Sequence, residues 1–156
     1  MSIEQQEAIK QRSYAEAMRY MSNAKETLQK ARKEDKYYTD KKYVRTACGT
    51  AYNGVLLALD TYFELKGVEL PKKKRRSIEF YTANAAQLDG KLLKELNTAY
   101  HVLHLEGYYD GEQNAMVINS GFDVAYDIID HIKPNHVIEL PPAKHPILQR
   151  IYSLFF

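Results

Sequence analysis

Residues 44–65 read VRTACGTAYNGVLLALDTYFEL, and this stretch decides the fold. Its apolar side chains recur at alternating spacings of four and three, which is the period of an α-helix with one buried face. They are Val44, Cys48, Ala51, Val55, Ala58, Tyr62 and Leu65. Small residues crowd the same side, at Ala47, Cys48, Ala51 and Gly54. We therefore expect a helix over residues 40–66 that lets a neighbouring backbone approach closely and that ends at the capping residue Gly67.

Four further segments show helical periodicity, and turn signals separate them. They cover residues 3–33, 75–88, 91–108 and 114–132. Asp89-Gly90 and Asp110-Gly111 are turn pairs, and Pro134 stops the last helix. The polar residues 33–40 predict a loop. Because short links make long neighbouring helices antiparallel, the sequence predicts an all-α, up-and-down bundle of four long helices plus one short helix.

The composition fits one ordinary globular domain. The chain has 156 residues, of which 45% are hydrophobic and 27% are charged, and its net charge is +2. So balanced a charge does not by itself indicate a nucleic-acid binder. The single cysteine excludes an intrachain disulfide and fits a reducing compartment. Since the sequence shows neither a secretory signal nor an apolar run of membrane-spanning length, we expect a cytoplasmic protein without a membrane partner.

The composition changes at residue 134. Four prolines forbid a continuous helix there, at Pro134, Pro141, Pro142 and Pro146. The last apolar residues are Ile147, Leu148, Ile151, Tyr152, Leu154, Phe155 and Phe156. Because a free apolar tail is a solubility liability, we expect a short terminal helix that docks on its own bundle or on another chain. The predicted organisation is a helical bundle over residues 1–133 and a Pro-rich tail over residues 134–156.

Two groups of basic side chains are candidate phosphate ligands. The denser run is Lys72, Lys73, Lys74, Arg75 and Arg76. Clustered cations bind phosphates, whereas the plainer interpretation is a solvated loop before the third helix. The second group, Lys41, Lys42 and Arg45, begins the second helix. At 1.5 Å per residue the two groups lie about 35–40 Å apart, so they do not form one patch in a monomer.

Histidines on the last two long helices have spacings that favour a common face. His101 and His104 lie three apart, and Asp127 and His131 lie four apart. Imidazole suits zinc or iron, but di-iron bundles repeat Glu-x-x-His, and this sequence does not. We therefore expect structural histidines, no metal site and no cofactor.

Tyrosine is abundant, with 13 residues. Three stand near the first loop (Tyr37, Tyr38, Tyr43), and we expect Tyr108 and Tyr109 at the other end of the bundle. Tyrosine beside basic residues stacks nucleobases, but it is also an ordinary residue at the edge of a core. The second interpretation holds unless the tyrosines prove exposed and clustered. Cys48, on the buried face of its helix, is expected to be an inert thiol.

Four stretches carry a family resemblance: residues 14–20 (YAEAMRY), 47–60, 67–71 (GVELP) and 103–111 (LHLEGYYDG). Together they resemble the HEPN superfamily, and more narrowly its uncharacterised DUF5618-type branch in the Bacteroidetes group. The similarity covers residues 11–133. It implies a bacterial HEPN-like bundle, often dimeric, tied to RNA cleavage, toxin–antitoxin pairs or nucleotidyltransferase partners.

Active members of the superfamily carry an arginine, then four to six residues, then a histidine that handles the proton of the 2′-hydroxyl attack. The matching positions here are Lys94 before His101 and Asn97 before His104, each pair separated by six residues. Lysine is a poor substitute for the bidentate phosphate clamp of arginine, and asparagine is uncharged. The pattern therefore favours a protein without ribonuclease activity.

Three functions stay open. The leading hypothesis is a non-catalytic bundle that associates with a protein partner or with itself as a dimer, through the small face of the second helix and the apolar tail. The second is a metal-independent RNase or toxin–antitoxin component that uses His101 or His104 with Lys94. The third is RNA or nucleotide binding through residues 72–76.

Overall fold

The computed structural model describes residues 1–72 and 76–136. In this part of the chain five α-helices form: α1 (Ile3–Lys30), α2 (Lys41–Leu65), α3 (Ile78–Leu88), α4 (Gly90–Ala99) and α5 (Ala115–Ile129). α4 runs on without a break into a π-helix, the π segment (Tyr100–Tyr109), and α5 ends in a 3-10 turn, Asp130–Ile132. The predicted all-α bundle is confirmed.

Short polar side chains begin the helices. Ser2 opens α1 with a capping box, because its hydroxyl accepts the Gln5 amide while the Gln5 side chain accepts the Ser2 amide. The other four helices begin after Asp40, Ser77, Asp89 and Asn114, each of which caps backbone amides. Gly67 follows α2 with φ of +84°, the left-handed conformation expected for a helix end.

α2 packs closely on two antiparallel neighbours. On the α1 side, a Cβ built on Gly54 would lie 3.1 Å from Tyr20 Cβ and 3.4 Å from the Ala17 carbonyl oxygen. On the side of the π segment, a Cβ built on Gly107 would collide with Cys48. The close backbone approach predicted for this helix is therefore confirmed on both sides.

The expectation that this small face serves as an interface to another chain is wrong. Ala47, Cys48 and Ala51 have no solvent exposure within the single chain. The reason is physical: small side chains let the chain's own helices approach, and that approach covers the face.

Residues 33–40 form a hairpin where the sequence predicted only a loop. β1 (Lys33–Glu34) pairs antiparallel with β2 (Tyr37–Tyr38), and Asp35 in the turn has φ of +56°. Strands of two residues are too short for an alternating pattern to reveal them. The hairpin is tied to the linker after the π segment, since the Tyr38 amide donates to the Gln113 carbonyl at 2.8 Å.

These hydrogen bonds correct the expected placement of the tyrosines. Tyr108 and Tyr109 lie at the same end of the bundle as Tyr37 and Tyr38, not at the opposite end. The cause is the alternation of direction, because α1 and the π segment both run antiparallel to α2 and therefore finish at the same end.

The fourth predicted helix, residues 91–108, is continuous but changes its hydrogen-bond ladder midway. In the π segment amides bond five residues back, as the Asp110 amide does to the Leu105 carbonyl at 3.0 Å. An apolar pattern does not separate this ladder from the α-helical one over so few turns.

Glu7 holds the last described residues against α1. Its buried carboxylate accepts the amides of Asn135 at 2.8 Å and His136 at 3.4 Å, and the Lys10 ammonium lies 3.5 Å away. The predicted apolar helix near the C-terminus lies outside the described residues. Within residues 1–72 and 76–136, no helix is both long and apolar enough to cross a membrane.

Candidate functional site

A groove of about 820 Å³ runs along α2, within the size range of ligand sites. The wall on α2 consists of Thr46, Gly49, Thr50, Tyr52, Asn53, Leu56, Leu57 and Asp60. The facing wall consists of Arg76, Ile78 and Tyr81 at one end and of Tyr100, His104, Tyr108 and Tyr109 at the other. The groove therefore has an ionic end, at Asp60 and Arg76, and an aromatic end beside the hairpin.

Four tyrosine rings surround the imidazole of His104, and the five rings are called here the tyrosine–histidine cluster. Tyr52 and Tyr100 stack on His104, with centroid distances of 4.8 and 5.3 Å. Tyr108 lies parallel to it at 6.0 Å, and Tyr109 stands edge-on at 5.0 Å. Tyr108 and Tyr109 are 47% and 60% exposed. The condition set from the sequence, that tyrosines be both exposed and clustered, is met here.

The π segment and one glycine of α2 position this cluster. Residues 100, 104 and 108 follow each other by four, so their side chains line one side of the π segment. A Cβ on Gly49 would lie 3.0 Å from Cδ2 of Tyr108, so the ring lies directly on the α2 backbone. A mid-helix glycine costs about 1 kcal/mol of helix stability, and here it makes room for an aromatic ring.

Partial burial lowers the pKa of His104 from its ordinary value, which favours the neutral imidazole. Among the described residues, neither of its ring nitrogens has a hydrogen-bond partner. A neutral imidazole offers one donor and one acceptor. Both are therefore free for a molecule in the groove.

Arg76 closes the ionic end of the groove. Its Nε donates to Asp60 Oδ1 at 3.3 Å, a second guanidinium nitrogen pairs with Asp60 Oδ2, and Nη1 donates to the Pro71 carbonyl at 3.2 Å. The Tyr81 hydroxyl donates to Asp60 Oδ1 at 2.9 Å. The side chain of Arg76 is thus paired with Asp60. It is not a free phosphate ligand, as the sequence analysis proposed for residues 72–76. Lys72 is exposed, and Lys73, Lys74 and Arg75 lie outside the described residues.

Arg45 lies at the aromatic end. A Cβ on Gly111, just after the π segment, would lie 2.8 Å from Arg45 Nε and 3.4 Å from Lys41 Cβ. Arg45 is exposed, and no described residue forms an ion pair or hydrogen bond with it. A free guanidinium therefore stands one residue before Thr46, which lines the groove.

The residues proposed for an RNase site do not converge. Lys94, Asn97 and His101 are exposed, and none of them lines the groove that contains His104. His101 Nδ1 is bonded to the Asn97 carbonyl of its own helix at 2.9 Å. Spacings of three, four and three would share one face of an α-helix, but the wider turn of the π segment changes the phase, and His104 instead stacks against Tyr52 of α2.

The suggested grouping of His101, His104, Asp127 and His131 does not form. His131 contacts other carboxylates, with Nε2 at 3.3 Å from Glu95 and Nδ1 at 3.9 Å from Asp89. In the described ranges, no group of three or more potential ligands is arranged to hold a metal ion. Cys48 is buried, and burial raises the pKa of its thiol to about 12, so it is unreactive as a nucleophile.

The sequence reasoning missed Tyr52, Tyr100 and Asn53 as groove residues. Tyr52 falls between the apolar positions of α2, and tyrosine there is typical of a helix edge. One available signal was the spacing of Tyr100, His104 and Tyr108, which follow each other at intervals of four residues. The sequence does not show which helix packs against these three side chains, and this is why the site was missed.

The fold and the groove define a helical-bundle protein with an aromatic, partly polar cleft along its central helix. More narrowly, the chain belongs to the family described as "Domain of unknown function (DUF5618)", which matches residues 12–134. No curated protein matches it. A solved structure described as a protein of unknown function from Dyadobacter fermentans is similar at a TM-score of 0.70 and 42% identity. That match covers 79% of this chain and 94% of the other.

Proposed function

We propose that the groove binds the bases of an unpaired nucleic-acid strand. The supporting observation is the tyrosine–histidine cluster, in which two tyrosines are exposed beside an imidazole with free nitrogens. Aromatic side chains stack on nucleobases of any sequence, and each such contact contributes about 1–3 kcal/mol.

The other groups of the groove fit this ligand. Thr50 and Asn53 add hydroxyl and amide groups to the groove wall, and these hydrogen-bond to base edges or sugars. Arg45, which has no ion-pair or hydrogen-bond partner within residues 1–72 and 76–136, supplies a cation at the aromatic end. A double helix hides its bases in the stack, so the proposed ligand is single-stranded.

The test is fluorescence anisotropy with a labelled ten-nucleotide single-stranded RNA and its matched duplex. We expect the full chain to bind the single strand and to bind the duplex weakly. Substituting both Tyr108 and Tyr109 by Ala should weaken binding at least about 30-fold. Tyr37→Ala is the control, because Tyr37 is 53% exposed but lies outside the groove. Equal affinity for strand and duplex, or no binding, would contradict the proposal.

Membership of the HEPN superfamily remains a prediction from the sequence, and ribonuclease activity remains an alternative hypothesis. We expect the RNA probe to stay intact, since neither Lys94 nor Asn97, at the positions that match the arginine of active members, lines the groove that contains His104. The check is gel electrophoresis of the probe after overnight incubation without magnesium. Cleavage that is lost in His104→Ala would replace this expectation.

Self-association is a second candidate function, favoured by large apolar side chains exposed at the hairpin end. Tyr37 and Met116 are 53% and 80% exposed, and the bridge between Tyr37 and Asn114 places them at the same end. Tyrosine and methionine are enriched in interfaces. Light scattering at two concentrations should show a dimer that Met116→Lys disrupts. Ile3→Lys is the control, because Ile3 is equally exposed and belongs to the opposite end of α1.

A further inference from the structure

We infer that the groove divides the ligand between two side chains, with a base on His104 and a phosphate on Arg45. This inference rests on the proposed function, and it assigns the cationic contact to a residue outside the dense basic run. The observations that carry it are the free nitrogens of His104, the unpaired guanidinium of Arg45 and the paired guanidinium of Arg76.

The surroundings of His104 suit a base and not a phosphate. Tyr52 and Tyr100 stack on its ring, so its nitrogens point along the ring plane toward the edge of the cluster. Among the described residues, no Lys or Arg lines the part of the groove around His104, and the Arg45 guanidinium lies outside that part, next to Gly111. A phosphate there would contact a neutral ring and tyrosine faces, which stabilise an anion poorly.

Arg76, which lines the groove, and Arg45, which lies beside its aromatic end, differ in availability. The Arg76 side chain is 16% exposed, and both oxygens of Asp60 already hold it. Arg45 is exposed and has no partner among the described residues. A phosphate reaching Arg76 would have to displace a carboxylate, whereas a phosphate reaching Arg45 displaces only water.

The distance between Arg45 and Tyr52 along the axis of α2 fits a single nucleic-acid strand that lies along this helix. Arg45 precedes Tyr52 by seven residues, which corresponds to about 10 Å along the helix axis. That length equals about three stacked nucleotides of one strand at 3.4 Å each. The strand would therefore enter past Arg45 and place a base against His104 two helical turns further on.

The experiment compares salt dependence for the unchanged 156-residue chain and five variants, using the labelled ten-nucleotide RNA and a sugar–phosphate strand of equal length without bases. Arg45→Ala should reduce the magnitude of the slope of log K against log salt by about 0.7, the loss of one phosphate contact. His104→Ala should weaken RNA binding about ten-fold and leave that slope unchanged. His104→Ala should not weaken binding of the base-free strand, whereas Arg45→Ala should.

Matched controls separate these effects from charge and folding. Arg19→Ala removes an exposed arginine on α1, and His101→Ala removes an exposed histidine of the π segment outside the groove. Both should bind like the unchanged protein. His104→Gln, which keeps a hydrogen-bonding side chain without the ring, should fold and should retain more of the RNA affinity than His104→Ala does.

The outcomes are distinct. If the unchanged protein binds no RNA, the proposed function fails and this inference fails with it. If RNA binds but His104→Ala lowers the salt slope by about 0.7, or Arg45→Ala behaves like Arg19→Ala, the division between base and phosphate is wrong while the proposed function stands.

Discussion

Gly107 of the π segment faces Cys48 of α2 so closely that only hydrogen fits between the two backbones. A Cβ at residue 107 would overlap both the Sγ and the Cβ of Cys48. This contact sets the distance between the two walls that carry the tyrosine–histidine cluster. The groove therefore depends on a pair of residues that do not line it.

Gly107→Ala should lower the free energy of unfolding by about 1–3 kcal/mol, because the added methyl group overpacks a buried contact. Urea unfolding followed by circular dichroism measures the change. Gly90→Ala is the control, since nothing lies within 4 Å of its built Cβ and alanine is the better helix former. Equal stability of Gly107→Ala and the unchanged protein would show that the π segment can shift without cost.

Gly49→Ala should separate stability from binding. Alanine raises helix propensity by up to about 1 kcal/mol, while its methyl group pushes the exposed Tyr108 ring outward by a few tenths of an ångström. We expect the unfolding midpoint to stay or rise and the affinity for single-stranded RNA to fall. A variant that binds as tightly as the unchanged protein would remove Tyr108 from the site.

The Asp60–Arg76 pair should contribute more to stability than the exposed Glu16–Arg19 pair. The side chains of Asp60 and Arg76 are 25% and 16% exposed, against 31% and 66% for Glu16 and Arg19. A double-mutant cycle with alanine should give a coupling of about 1.5–3 kcal/mol for the first pair. The second pair should give a value close to the measurement error. Equal couplings would mean that solvent screens both pairs alike.

The contact between Glu7 and the residues before the tail should depend on pH. Burial raises the pKa of Glu7, but the amides of His136 and Asn135 together with Lys10 outweigh it and hold the pKa below its ordinary value. A lowered pKa stabilises the fold above the ordinary carboxyl value of about 4.3, and this contribution is lost as the pH falls through the folded-state pKa.

The stability difference between the unchanged protein and Glu7→Gln should therefore be greatest above about pH 5 and should shrink in acid. Urea midpoints between pH 3 and pH 7 measure it. Glu4→Gln, on the exposed first turn of α1, provides the comparison. A difference that stays constant over this range would show that the Glu7 charge does not hold the segment.

The bundle could be predicted because its determinants are local. The spacing of Val44, Cys48 and Ala51 and the cap at Gly67 follow from helix geometry alone, and the structure agrees with them. The site could not be predicted to the same extent. Arg76 belongs to a basic run in the sequence, and only the folded chain places Asp60 opposite it. Tyr52 could not be predicted as a site residue either, because only the folded chain brings its ring on α2 against His104 of the π segment.

The wider turn of the π segment makes the groove sensitive to the length of the chain. A ladder that bonds five residues back holds more residues per turn than an α-helix does. If one residue were deleted between positions 100 and 109, an ordinary α-helix would form with the residues on either side close to their present phase, but the spacing of four that aligns Tyr100, His104 and Tyr108 would be broken. The apolar residues before and after the π segment would keep their packing in the bundle. The three rings would no longer lie in line, so a homologue one residue shorter here would keep the architecture and lose the cleft.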